Sequence, residues 1–311
     1  QGLAFMWEEL HIASGMRCPI VMANANRALS APINIHGDHS DIMGVRDTGW
    51  AMMFAETAQE AYDNTIIAFK VAEDPNVLLP VLTTLDGFVT SHAMDNCVME
   101  EDQVVKDFVG DYKPLYPLLD TENPVGHGMF ATLGNGYMKY KLTERHALDN
   151  ALEAFEKHGK EWEEITGRSF EVVDSWGAED ADYLIVVLGS CAGNARHQAR
   201  LLRAEGKKVG VVRPRIFRPF PAKQIVEACK NAKAVAVIDR SDSFGSPHAP
   251  LALEVRAAFQ DAGLQIPVSD YLAGMGGADI TLDQMGQVYA ELEQRAQGTY
   301  DGSIKYLGIE E

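Results

Sequence analysis

The stretch Asn24–Thr48, NANRALSAPINIHGDHSDIMGVRDT, decides how the rest of the chain is read. It has neither a helical nor an alternating apolar period, and it is rich in Asn, Ser, Asp, His and Gly. A loop of this length inside a compact chain is functional or disordered. Leu29, Ile33, Ile35, Ile42, Met43 and Val45 offer it apolar anchors, so an ordered loop is expected. One cation, Arg27, stands near its start, and Gly37-Asp38-His39-Ser40-Asp41 forms a turn-prone polar segment within it.

The flanks place this loop. Pro19–Ala23 (PIVMA) and Trp50–Ala55 read as short buried strands on either side. Thr57 and Glu60 have capping-box spacing, and Ala58, Ala61, Tyr62, Thr65, Ile66 and Phe69 make an apolar stripe at helical period. Asp74-Pro75-Asn76 ends that helix, because the residue before proline is pushed out of the helical region. Val77–Thr84 is the next strand; Pro80 within it points to an edge position or a bulge, and Asp86-Gly87-Phe88 turns at its end. Strand, helix, strand in this order is a βαβ unit and implies a parallel sheet. Ligands of such sheets bind beyond the carboxyl ends of the strands, where the polar loop and Ser91-His92 both lie.

Before this unit, Leu3, Met6, Trp7, Leu10 and Ala13 share one face of a helix. The chain opens on Gln1-Gly2-Leu3 without a methionine and reads as a fragment or a processed product. After the unit, residues 95–142 read as a long irregular connection carrying Glu100-Glu101-Asp102 and the glycine-rich GHGMFATLGNG. Thr143 caps a helix running to about Ile165, and Gly167 stops it. A boundary near Trp176-Gly177 divides the chain into 1–176 and 177–311. In the second part, strands at Tyr183–Leu188, Lys208–Val212, Ala234–Ile238 and Ile266–Tyr271 alternate with helices at about 194–205, 221–231, 250–262 and 281–297. That alternation is a doubly wound α/β domain.

The 311 residues are 46% hydrophobic and 23% charged, enough apolar mass for two cores. A formal charge of -18 argues against nucleic acid and anionic membrane surfaces as partners. Cys18, Cys97, Cys191 and Cys229 are scattered, with no CxxC, so neither an iron–sulfur cluster nor a zinc framework is expected in this chain. A reducing cytoplasm fits these thiols, and no segment approaches transmembrane length.

Several groups offer chemistry, each with a plainer reading. Gly189–Asn194 joins a strand to a helix and has backbone amides for a phosphate, yet lacks the spacing of a nucleotide fingerprint; a tight turn explains it as well. Ala273–Gly277 is read in the same way. Asp38, His39 and Asp41 are metal ligands, a proton relay, or carboxylates closing turns over backbone amides; no further ligand at matching spacing supports a metal. His127, His146 and His158 have no partner pattern and read as surface residues. Asp239-Arg240, at the carboxyl edge of the second sheet, reads as an ion pair at a domain interface. Arg27 is a cation at the functional edge of a sheet and suits a planar carboxylate or phosphate held bidentately.

These runs also resemble a known family. NANRALSAPINIHGDHSD…RDTGW, AQEAYDN and LDGF…SH are similar to the alpha subunit of pyruvate (2-oxoacid):ferredoxin oxidoreductases. VVRPRIFRPFP and Val237-Ile238-Asp239-Arg240 are similar to that family's second domain, which resembles the transketolase carboxyl-terminal domain. The resemblance implies a pyrimidine-type thiamine-binding α/β domain, its amino-terminal part missing, followed by a transketolase C-terminal-like domain. It implies thiamine diphosphate bound between this chain and a beta subunit that holds the diphosphate and magnesium. It implies [4Fe-4S] clusters on the partner subunits and none here, with beta, gamma and delta subunits as partners. Ferredoxin or flavodoxin would accept electrons, and coenzyme A the acyl group. Arg27 matches the arginine that contacts the substrate carboxylate; Asn26, Asp38, His39 and Asp41 belong to the same loop. The family's aminopyrimidine-activating Glu and a substrate-contacting Thr fall upstream of Gln1. The expected function is therefore coenzyme A-acylating oxidation of a 2-oxoacid, pyruvate first. The alternatives are a branched 2-oxoacid or 2-oxoglutarate as substrate, or a scaffold subunit without catalysis.

Overall fold

The computed structural model describes residues 2–128, 130–131, 133–298 and 303–309. Gln1 and two residues of the glycine-rich segment, 129 and 132, lie outside the described residues. In chain order the first part contains α1 (Gly2–Phe5), α2 (Trp7–Gly15), β1 (Val21–Asn26), α3 (Ser40–Met43), β2 (Ala51–Phe54), α4 (Ala58–Glu73), β3 (Val81–Asp86), α5 (Asp102–Val109) and α6 (Gly136–Thr166). The second contains β4 (Val173–Trp176), β5 (Tyr183–Val187), α7 (Cys191–Ala204), β6 (Val209–Pro214), β7 (Ile216–Arg218), α8 (Ala222–Cys229) and β8 (Ala234–Asp239). It closes with α9 (Pro250–Asp261), β9 (Val268–Leu272), a short 3-10 turn at Met275–Gly277, α10 (Leu282–Arg295) and β10 (Ile304–Tyr306).

Among the described residues these strands form two sheets, ordered β1-β3-β2-β7 and β10-β9-β8-β5-β6-β4. In the first, β1, β3 and β2 are parallel, as the βαβ reading requires. In the second, β5, β6, β8 and β9 are parallel, with α7 and α10 on one face and α8 and α9 on the other. This is the doubly wound arrangement expected from the alternation. The chain crosses between sheets at β7, which pairs antiparallel with β2 of the first, while β4 edges the second sheet antiparallel to β6. One apolar core runs through the seam, joining Met52, Phe54 and Leu82 of the first sheet to Leu184, Val186 and Val237 of the second.

Several local expectations are corrected. Strand β3 begins after Pro80 and lies between β1 and β2, so the proline marks neither an edge nor a bulge. Its carbonyl accepts the Ala51 amide, a role proline keeps. Strand β1 continues to Asn26, because Asn24–Asn26 stay in register with Thr84–Asp86. The supposedly irregular 95–142 connection contains α5, whose Phe108 packs on Trp162 at 4.8 Å. Helix α6 starts at Gly136 rather than at Thr143, whose hydroxyl bonds back to the Tyr140 carbonyl inside it. Trp7 and Phe69, assigned to buried faces, are exposed, and the first helix is broken at Met6. Thr57 caps α4 by accepting the Glu60 amide; Glu60 reaches back to the Glu56 amide, so the capping box is only half made. No helix among the described residues is long and apolar enough to cross a membrane.

Candidate active site at the carboxyl edge of the first sheet

Strands β1 and β3 end side by side at Asn26 and Asp86, and the polar loop leaves between them. The backbones meet so closely that side chains are excluded. A Cβ on Gly87 would lie 2.1 Å from the Asn26 carbonyl oxygen, and one on Gly37 2.1 Å from that of Gly87. This close stacking brings Arg27, Asp38, His39 and Asp41 to one edge. Within the loop, Ser40–Met43 is a short helical turn, and Ile42, Met43 and Val45 anchor it in the core. Leu29, Ile33 and Ile35 do not; they point to solvent.

Arg27 is half-buried. Its Nε donates to the Ala28 carbonyl at 3.2 Å and its Nη2 to the Asn34 carbonyl at 2.7 Å. Among the described residues no carboxylate pairs with it and Nη1 has no protein acceptor. Beside it, Asp41 accepts the Arg27 amide at 3.1 Å, the Asn24 side-chain amide at 3.0 Å and the Ile42 amide at 2.7 Å. Burial pushes the Asp41 carboxyl up, with these bonds and His39 acting against it. Asn26 is buried; its Oδ1 takes bonds from Asn24 and Thr84, and its Nδ2 has no partner.

The other end of the loop plugs the second sheet. In a doubly wound sheet the binding crevice opens where the strand order reverses, here between β5 and β8. First-part residues fill it. Asp86 receives His39 Nε2 at 2.7 Å, Arg240 Nη1 at 3.1 Å and the Ser190 amide at 2.8 Å. Burial pushes the Asp86 carboxyl up, but His39, Arg240 and Ser190 outweigh it and hold it well below the usual carboxylate range. Arg240 Nη2 also donates to the Gly37 carbonyl at 2.8 Å, and the Arg240 carbonyl accepts the His39 amide at 2.9 Å. Asp38 closes a turn over the Ser40 amide and takes the Gly276 amide at 2.9 Å. A second ionic seam lies at the start of α4, where Arg213 holds Glu60 through both guanidinium nitrogens at 2.8 Å.

The remaining candidates fall elsewhere. The predicted ion pair at Asp239-Arg240 is half right. Arg240 does bridge the two parts, but its partner is Asp86, and Asp239 instead accepts the Leu251 and Ala252 amides at the start of α9. His127 and His146 are exposed. His158 is buried between Asp74 at 3.2 Å and Glu161 at 2.9 Å, a correction to its surface assignment. Both glycine turns have carboxylates on their amides: Asp86 at Ser190 and Asp38 at Gly276. Cys191 and Cys229 are buried, which pushes each thiol up to about 12. Among the described residues no three His, Cys, Asp or Glu side chains converge to hold a metal. Sequence reasoning gave no individual role to Asn24, Asn34, Thr84, Asp86 or Ser190. Only the position of Asp86 at a strand's carboxyl end signalled it.

Two family models match the chain. The family described as "Pyruvate flavodoxin/ferredoxin oxidoreductase, thiamine diP-bdg" matches residues 1–161, and "Pyruvate:ferredoxin oxidoreductase core domain II" matches residues 181–285. Pyruvate synthase subunit PorA of Thermotoga maritima is 42% identical, covering 100% of this chain and 78% of that protein. The same subunit of Methanosarcina barkeri is 36% identical over 100% of this chain and 77% of its own. Ketoisovalerate oxidoreductase subunit VorA of Pyrococcus horikoshii is 37% identical over 99% and 78%. A 2-oxoglutarate:ferredoxin oxidoreductase from Magnetococcus marinus, solved with 2-oxoglutarate, coenzyme A and succinyl-CoA bound, shares the fold with a TM-score of 0.64 at 18% identity. The match covers 94% of this chain and 52% of that one.

Proposed function

The chain belongs to the pyruvate flavodoxin/ferredoxin oxidoreductase family and is one subunit of a 2-oxoacid:ferredoxin oxidoreductase, and on that premise we propose that it supplies the substrate-carboxylate site for pyruvate oxidation. The observation that carries this reading is Arg27, a half-buried guanidinium at the carboxyl edge of a parallel sheet with no carboxylate partner among the described residues. Two main-chain carbonyls hold its Nε–Nη2 side. That leaves Nη1 directed at no protein acceptor, and the fork free for a planar anion.

The edge suits the organic end of thiamine diphosphate better than its diphosphate. The two glycine turns that could cradle phosphate already have carboxylates on their amides. The unpartnered, buried amide of Asn26 marks polar capacity at the other end of the same edge. We assign the diphosphate and its magnesium to a beta-type partner and the [4Fe-4S] clusters to beta- and delta-type partners, with a gamma-type subunit completing the assembly. When bound, thiamine diphosphate supplies the nucleophilic carbon that a 2-oxoacid needs in order to lose carbon dioxide. This chain's task is to desolvate the carboxylate and orient the 2-oxo carbon, which supplies rate through positioning. Ferredoxin or flavodoxin takes the electrons and coenzyme A the acyl group.

The test is a substrate panel on the assembled enzyme, following acceptor reduction and acyl-coenzyme A formation. Pyruvate is expected to give the highest kcat/KM, ahead of 3-methyl-2-oxobutanoate and 2-oxoglutarate. Preference for either of the others would replace the substrate, and turnover of none would remove the catalytic reading in favour of a scaffold.

A further inference from the structure

Arg27 does not hold its orientation alone. The carbonyl on which Nη2 rests belongs to Asn34, and the Asn34 side chain is committed on both sides. Its Oδ1 accepts the His36 amide at 2.7 Å, and its Nδ2 donates to the Gly276 carbonyl at 2.8 Å. Gly276 lies in the second part of the chain, 242 positions away, and its own amide returns to Asp38. The receiving turn is shaped for this approach. Gly274, Gly276 and Gly277 have φ of 66°, 62° and 80°. A Cβ on Gly276 would lie 2.6 Å from Asn34 Nδ2, and one on Gly277 2.3 Å from His36 Cβ. Apolar packing adds little at the loop tip, since Ile33 and Ile35 are 85% and 51% exposed.

We propose that Asn34 is a positioning residue for Arg27, tying the loop that carries the guanidinium to the glycine turn of the second α/β unit. Both guanidinium bonds are made within the loop, at the Ala28 and Asn34 carbonyls, and the Asn34–Gly276 contact anchors the second of them to the other α/β unit. The proposal rests on Arg27 as the carboxylate anchor. It also gives the Ala273–Gly277 turn a purpose beyond chain reversal.

Two variants test it in the assembled enzyme. Asn34→Ser keeps a hydroxyl able to accept the His36 amide but is too short to reach Gly276. Asn34→Ala loses both contacts. With Asn34→Ser, KM for the 2-oxoacid is expected to rise about tenfold while kcat falls about threefold or less, since a displaced anchor weakens capture and orientation first. Thiamine content should not change. The combination with Arg27→Ala decides the route of the effect. If Asn34 acts only through Arg27, the double variant matches Arg27→Ala in kcat/KM.

Wild-type KM in Asn34→Ser beside an impaired Arg27→Ala would overturn the positioning role and leave the arginine reading intact. Wild-type kcat/KM in Arg27→Ala would overturn the arginine reading itself, and the proposal with it. Additive losses in the double variant would mean that Asn34 supports the fold independently. Failure of both Asn34 variants to assemble would count against the proposal in the same way.

Discussion

Asp86 is the residue on which the two halves of the site meet. It is buried and carries one guanidinium, one imidazole, and both the main-chain amide and the hydroxyl of Ser190. Removing the charge from one partner of a buried pair leaves the other uncompensated. Asp86→Asn is therefore expected to lower unfolding stability by about 3 kcal/mol, seen as a reduced urea midpoint. The sign of its pH dependence follows from the depressed native carboxyl. Its stabilisation is complete above the unfolded carboxylate value of ~3.9 and is lost only as pH falls through the lower native value. The deficit of Asp86→Asn should thus persist at both pH 7 and pH 5 and shrink in stronger acid. A deficit that disappears between pH 7 and 5 would mean the carboxyl is not held low. At this scale the sequence revealed Arg27 and the Asp38–Asp41 segment, because polar residues clustered in a loop at a strand's carboxyl end are visible locally. It did not reveal their partners. Asp86 meets Ser190 across 104 positions and Asn34 meets Gly276 across 242, and no local spacing rule reaches that far.

Elements were more legible than contacts. The α/β alternation and the capped start of α4 follow from periodicity and turn chemistry, which act within a few residues. The misjudged elements were those whose faces are set by distant packing. Helix α6 shows why. It runs 31 residues, and its buried stripe of Ala147, Ala151, Phe155 and Trp162 packs with α4 in the core cluster that also holds Ala51, Met53 and Val81 of the first sheet. Trp162 Nε1 donates to Asp63 of α4 at 2.8 Å, and Arg168 beyond the helix grips the same carboxylate. Gly159 sits inside this helix, where alanine would ordinarily stabilise by ~1 kcal/mol. Here a Cβ would lie 2.0 Å from Phe170 Cδ1, so the ring must move. Gly159→Ala is expected to destabilise by about 1–3 kcal/mol, the usual scale of overpacking. A raised melting temperature in that variant would show that Phe170 does not pack there.

For the whole molecule, the two sheets act as one support. They share a core cluster, are joined by β7, which the second part lends to the first sheet, and meet at two ionic clusters. Composition alone did not show this interlocking. It bounded the size of the cores and the sign of the surface charge, which is -18 over 311 residues. The consequence for function is that a loop on the first sheet is set in part by contacts from the second, and that Arg27 in this loop faces no carboxylate among the described residues. On the proposed reading, a 2-oxoacid carboxylate reaching that edge would lose hydration, which the guanidinium fork would replace with charge-assisted bonds. The measurement that bears most directly on this account is kcat/KM for the 2-oxoacid in assembled enzyme carrying Arg27→Ala, with thiamine diphosphate and iron content assayed alongside. A fall of at least ~10²-fold, about 2.7 kcal/mol, with partial recovery in Arg27→Lys and unchanged cofactors, is the predicted result. Near-wild-type kcat/KM in an intact complex, or loss of the cofactors, would contradict it.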